Sequence, residues 1–282
     1  MTQDQWQAAR SALRDAGDRF ADLVAGSPAD APVTAHWSVA EMTAHVAAIA
    51  RLYTSMVATE PTPLPFSGLG ELLRITTVDT IAHLNEVVLA QCTERDLTVL
   101  DRWLRDDIDH ILALTADRDP DAGIDWLGAA RPTLAGVFAH LVNELLLHGW
   151  DIARARRVPW RIPPAYASMY FELFVLGMLR DGHDYGRLLD NDEPPRERRI
   201  TVEFRSRYTS PVTLVLHRGR VSAEPVGPAP DVRVSFDPVT LNLMLFGRVG
   251  KLRAVLTGGL VVSGRRPWLL PTFLRTLRAP GS

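Results

Sequence analysis

Cysteine is nearly missing from this chain of 282 residues: Cys92 stands alone. No intramolecular disulfide can form, and a cysteine-based zinc site is excluded. A chain without disulfides suits a reducing compartment, and the cytoplasm is the expected location. Lysine is as scarce, with Lys251 the sole lysine among 31 basic residues. No stretch reaches the ~18 uninterrupted apolar residues of a membrane helix. The first residues, MTQDQWQAARSALRDAGDRF, spread their charges and lack the continuous apolar core of a secretory signal. No membrane span is expected. A formal net charge of -2 gives no general electrostatic ground for nucleic acid or an anionic membrane as partner. Also missing are a nucleophile elbow, an internal repeat and a glycine-rich phosphate loop, since Gly258–Gly259 precedes a strand pattern rather than a helix.

What is present is helical periodicity. The chain is long enough for two domains, and 46% hydrophobic and 23% charged residues are ordinary for a globular protein. From Thr2 to Val24, Trp6, Ala9, Leu13, Ala16, Phe20 and Leu23 recur at steps of three and four. In HWSVAEMTAHVAAIARLYTSMV, Ser38 and Glu41 form an S-x-x-E capping box that predicts a helix start at Val39. EPTPLPFSG, with three prolines, reads as an irregular connection over the bundle. Periodicity returns over Leu72–Ala90 and over Glu94–Leu114, and Thr133 is a plausible N-cap for a long helix carrying FAHLVNELLLHGWDIARAR. Four long helical segments predict an antiparallel bundle over residues 1–160.

Residues 161–198 read as a connecting apolar helix, Ala165–Leu179, followed by a linker at Asn191–Arg198. Beyond it the period changes to two. RITVEFRSR, TLVLHRGRVSAE and DVRVSFD alternate, and the centre His217–Arg218–Gly219–Arg220 signals a hairpin. A helix follows with Asp237 as N-cap and Gly247 as stop, then a short strand in GGLVVSG and a closing helix from Pro267 to about Leu277. Residues 199–282 are thus expected to form a small α+β domain.

His140, Glu144 and His148 lie at successive steps of four, on one side of one helix. Glu144 and His148, one turn apart, can reach a single ion, and His45 from the second helix is the best third ligand. Two imidazoles and a carboxylate suit zinc, and three protein ligands leave one position open for water or substrate. The alternative is a group of partly buried histidines satisfied by hydrogen bonds. His140 reads as such a histidine. Asp151 is placed to accept the second ring N–H of His148. Cys92, in an apolar stretch, reads as inert core.

WSVAEMTAHVA from Trp37, followed by TLAGVFAHLVNELLLHGWDIARA from Thr133, resembles the mycothiol-dependent maleylpyruvate isomerase family, whose N-terminal half is a DinB-like four-helix bundle. PDVRVSFDPVTLNLMLFGRVGKLRAVLTGGLVVSG resembles the sterol-carrier-protein-like domain behind that bundle in many members. The resemblance implies a divalent metal, typically zinc, on His45, Glu144 and His148, with mycothiol as thiol cosubstrate. It implies thiolate addition to a small electrophilic substrate, by an isomerase or a thiol S-transferase. A dicarboxylate substrate would need an arginine. Arg74, Arg102 and Arg248 are candidates, and the family motif singles out none of them. The competing reading is an apolar-ligand or lipid-binding protein that uses its C-terminal domain, PVTLNLMLF and WLLPTFL included, with the bundle as scaffold.

Overall fold

A computed structural model describes residues 1–60, 62–77, 79–180 and 197–275. Capping sets where the helices begin. Helix α1 (Gln3–Ala25) starts behind a Thr2–Gln5 capping box, and α2 (Val39–Val57) starts behind the Ser38–Glu41 box that the sequence announces. The Leu72–Ala90 periodicity is not one helix but two, α3 (Leu69–Ile75) and α4 (Ile81–Gln91). The break falls where Thr76 turns extended and Thr80 Oγ1 accepts the Thr77 amide, local bonds that compete with a helix. Helix α5 (Leu97–Leu114) begins three residues later than expected, behind Asp96, whose side chain accepts the Thr98 amide as N-cap. Helix α6 (Leu134–Arg156) is capped by Thr133 and ends where Arg157 adopts a left-handed conformation.

The four long helices pack α1 on α5 and α6, and α2 on α5 and α6. Trp6, Phe20, Leu100, Leu104 and Phe138 lie in the core, with the Trp6 and Phe138 rings 4.7 Å apart. The α5–α6 connection folds a small hairpin-like loop over one end, held by Ile124 N donating to Pro132 O and Trp126 N donating to Ala130 O. This brings the Trp126 indole into the bundle.

The connecting helix expected over Ala165–Leu179 is one rod with a widened middle: α7 (Pro164–Met169), a π-helical stretch Tyr170–Val175, and α8 (Leu176–Arg180). It serves two cores. Phe174 and Met178 enter the bundle core, while Phe171 and Leu176 enter that of the sheet. Of the linker expected at Asn191–Arg198, residues 191–196 lie outside the described residues.

Among the described residues, β1 (Ile200–Ser206), β2 (Thr209–His217), β3 (Arg220–Glu224), β4 (Val232–Phe236) and β5 (Leu260–Ser263) form a sheet in the order β3-β2-β1-β4-β5. Only β1 and β4 run parallel among these neighbours. The β2–β3 hairpin turns through Arg218 (φ 52°) and Gly219 (φ 76°), a pair of positive φ values that matches the twist of a two-residue hairpin. Val202, Phe204, Leu214 and Val234 project from one face of the sheet into its core, as strand alternation dictates. Helices α9 (Pro238–Leu245), α10 (Lys251–Leu256) and α11 (Leu270–Leu274) complete this region, with Asp237 capping α9 and Gly247 (φ 74°) just beyond its end. The closing helix expected from Pro267 opens as a 3-10 turn, Pro267–Leu269, and continues as α11 to Leu274, while Leu277 lies outside the described residues. Helix α9 ties the two cores together: Leu243 enters the bundle core, Leu241 the sheet core, and Asn242 Nδ2 donates to Asn143 Oδ1 (2.9 Å) and Ala167 O (3.0 Å). Among the described residues no helix is long and apolar enough to cross a membrane.

Two glycines distinguish rigid from yielding packing. A Cβ on Gly149 would lie 2.3 Å from the Trp160 ring, which is fixed by its indole N–H donating to Leu146 O; a Cβ on Gly17 would meet only the end of Ile108, at 2.4 Å. We predict that Gly149→Ala lowers stability by ~1–3 kcal/mol through overpacking, despite the ~1 kcal/mol helix-propensity gain, whereas Gly17→Ala changes it by less than ~1 kcal/mol. Urea denaturation of both variants checks this, and equal effects would refute the assignment.

Candidate metal centre

Two facing helices supply the polar cluster. His45 projects inward from the second turn of α2 and is 4% exposed, sharing its face with Met42, Ile49 and Leu52. Glu144 and His148 stand one turn apart on α6, where the four-residue step aligns their side chains. Alanines at 40, 44, 47 and 48 of α2 are all buried and let its backbone approach its neighbours closely.

The geometry is compact. His148 Nε2 lies 3.2 Å and His45 Nε2 3.7 Å from the same oxygen, Glu144 Oε2. One ligand atom from each of the three residues can be chosen so that all lie within 4.8 Å of one another. A tetrahedral ion held at ~2.0–2.2 Å by nitrogen and oxygen donors sets donor separations of about 3.3–3.6 Å. The donor set therefore fits a divalent ion with little rearrangement, and leaves a coordination position over.

Electrostatics explains why the cluster holds together. Burial opposes charge on Glu144, but the facing imidazoles of His148 and His45, with His140 behind them, hold its carboxyl well below the usual range. Burial likewise opposes charge on His148, yet Asp151 and Glu144 on either side outweigh it and raise its pKa to about 9. His45 and His140 go the other way, pushed down mainly by burial.

The structure divides the helical face of three. His140 Nδ1 is 3.0 Å from the Tyr53 hydroxyl, which accepts from the Trp126 indole at 2.9 Å; the second ring nitrogen of His140 lies 3.6 Å from Glu144 Oε1. This histidine therefore borders the cluster as a hydrogen-bonded neighbour. Asp151 Oδ2 lies 3.5 Å from His148 Nδ1, within ion-pair range but loose for a hydrogen bond. Arg248, arriving from beyond α9, grips Asp151 with both Nε (3.2 Å) and Nη2 (2.7 Å). Of the three arginines considered for a dicarboxylate, Arg248 is already paired. Arg74 pairs with Glu71 on the surface, and Arg102 is exposed on α5; neither lines the cavity beside the cluster. Cys92 is buried against Ala44 O at 4.0 Å, and burial raises its thiol pKa.

Periodicity could not reveal the aromatic surround. The Trp37 ring lies 4.8 Å from that of His45 and 6.2 Å from that of His148, and Tyr170 and Phe174 of the π-helical stretch lie 6.3 and 4.9 Å from His140. Trp37 opens the WSVAEMTAHVA motif, and its position before the capping box was the available signal. The cluster opens onto a cavity of about 670 Å³ between bundle and sheet, walled by Leu52, Phe171, Phe204, Leu214 and Arg248 among others.

The family model described as the mycothiol maleylpyruvate isomerase N-terminal domain matches residues 9–153, just over half of the chain. Two solved structures share the fold along nearly the whole length. One is a crystal structure of the mycothiol-dependent maleylpyruvate isomerase carrying a histidine-to-alanine mutation, at TM-score 0.52; the other is the isomerase itself, at 0.50. Each is 12% identical to this chain, with 93% of this chain and 96% of the other covered. Agreement of fold extends through the sheet region as well as the bundle. No curated protein matches the sequence significantly.

The Arg248–Asp151 pair yields a stability prediction. Its side chains are 14% and 9% exposed, so removing the guanidinium leaves a buried carboxylate with only the looser His148 contact. Arg248→Met is expected to cost on the order of 3 kcal/mol in urea denaturation of metal-free protein. A loss below ~0.5 kcal/mol would mean that water screens the pair.

Proposed function

The chain belongs to the family of the mycothiol maleylpyruvate isomerase N-terminal domain, and from that premise we propose that it is a metal-dependent, mycothiol-using enzyme acting on a small electrophile, as an isomerase or a thiol S-transferase. The observation that carries this reading is the convergence of His45, Glu144 and His148 from two helices onto one point at metal-ligand spacing. These residues would hold a divalent ion, zinc being best suited to two imidazoles and a carboxylate. Such an ion, when bound, lowers the pKa of a thiol at its open position so that the sulfur reacts as thiolate.

The remaining roles fall to this chain's own side chains. Glu144 supplies the negative charge that balances the site, and Asp151, fixed by Arg248, orients the His148 ring from behind. Trp37 packs its ring against both imidazoles. An external thiol is needed because Cys92 is buried away from the cluster and held in its thiol form. Sulfur adding to a cis double bond permits rotation and elimination to the trans isomer; where elimination does not follow, a thioether remains. The reading extends to a DinB-like bundle over 1–160, a connection over 161–198, a sterol-carrier-like domain over 199–282, and action in the cytoplasm. The packing of helices against the sheet supports the α+β part of that reading.

Untagged protein analysed for metals is expected to contain about one divalent ion per chain, falling below about a tenth in His148→Ala and His45→Ala. Stoichiometry unchanged by these substitutions would refute the ligand set. Chelation is expected to abolish mycothiol-dependent turnover and to lower Tm, because an ion bound only by the folded state stabilises it. Turnover of electrophiles that persists without mycothiol would exclude the thiol mechanism.

A further inference from the structure

The cavity of about 670 Å³ beside the cluster falls within the ~300–1,000 Å³ of small-molecule sites, but its walls do not suit a small dicarboxylate. Its wall residues at Thr34–His36 and at Ala82 and Glu86 of α4 are exposed, which places the mouth on the bundle side. At the other end Phe171, Phe204, Leu214, Val234, Leu241 and Leu260, none more than 6% exposed, form a floor inside the sheet region. The polar cluster lines the same space. Interiors are otherwise close-packed, and an aliphatic and aromatic space of this size binds apolar matter.

Charge gives the complementary constraint. Among the described residues, Arg248 is the only arginine or lysine lining the cavity, and Asp151 already neutralises it through two hydrogen bonds. Two carboxylates brought here would lose their hydration without a free guanidinium to replace it.

We propose that the electrophile is a neutral molecule with a long apolar tail, its reactive carbon at the His45–Glu144–His148 cluster and its tail on the sheet floor. This rests on the thiol chemistry proposed above. A 2-alkenal illustrates the balance of the step. The thiol sulfur forms a C–S bond at the β-carbon, the C=C pair moves toward the α-carbon and carbonyl oxygen, and the thiol's proton completes the α-carbon. No further reactant is consumed.

The test compares kcat/KM of the metal-loaded enzyme with mycothiol across straight-chain 2-alkenals from butenal to dodecenal. The expected rise is up to about fourfold per methylene, the equivalent of ~0.8 kcal/mol per buried CH2, until the floor is reached. A flat or falling series overturns the proposal. Leu214→Trp, which fills the floor, is expected to flatten the series, and an unaltered slope in this folded variant also overturns it. Calorimetric binding of decan-1-ol to the wild-type protein, with no electrophilic carbon involved, separates this idea from its premise. If no aldehyde shows thiol dependence, the mycothiol reading fails while decan-1-ol binding with a negative heat-capacity change still upholds the apolar site. Absence of decan-1-ol binding overturns it.

Discussion

A carboxylate inside an apolar helical bundle must be compensated, and Glu144 is the point on which the surrounding structure depends. Left alone, a buried carboxylate would take up a proton. Here the imidazoles of His148 and His45 face its Oε2, and that of His140 faces Oε1, so the charged form prevails despite burial. The neighbours are compensated in turn. His148 has Asp151 behind it, Asp151 has Arg248, and His140 has the Tyr53–Trp126 hydrogen bonds. The partners come from four segments, so the demand of one carboxylate draws α2, α6, the loop before α6 and the loop after α9 into a common arrangement.

That arrangement gives the sheet region a mechanical part in the site. Arg248 reaches the cluster through Asp151, and six residues earlier Asn242 locks α9 onto α6 and α7. The rod from Pro164 to Arg180 runs along the same seam. Ala167, Tyr170, Phe174 and Met178 face the bundle core along it while Phe171 and Leu176 face that of the sheet, so one element with a π-helical middle serves both cores. The sheet and the bundle therefore share both buried polar contacts and the walls of one cavity. A loosely tethered second domain would share neither.

Much of this was legible in the sequence because it depends on local rules. The Ser38–Glu41 box, Thr133, Asp237 and the Arg218–Gly219 turn are short-range signals, and each marks an element at or within a residue of where it forms. The four-residue step of Glu144 and His148 likewise needs only helix geometry, and the apolar face that His45 shares with Met42, Ile49 and Leu52 turns it inward. Long-range choices were hidden. No short-range pattern says that Arg248 spends its charge on Asp151 or that Trp126 reaches Tyr53, and the break of Leu72–Ala90 at Thr76 is a local competition that hydrophobic periodicity does not register. The first two are tertiary pairings across 97 and 73 positions, and the third is decided by threonine bonding against a helical pattern that continues on both sides.

The two ends of the cavity come from different parts of the chain, and this separates what the site does from what it accepts. The cluster is set by side chains of α2 and α6, where a shift of a fraction of an ångström alters donor spacing. The floor is set by β1, β2, β4, β5, α9 and Phe171 of the π-helical stretch, where apolar side chains can exchange volume with less strain. Substitutions in the sheet can therefore change the accepted tail while Glu144 and its compensating histidines stay in place. Among the described residues, buried polar contacts that couple the two ends include Arg248–Asp151 and Asn242–Asn143. These are the positions where a change in the sheet would reach the chemistry, because a buried ion pair or amide contact does not yield as an aliphatic contact does.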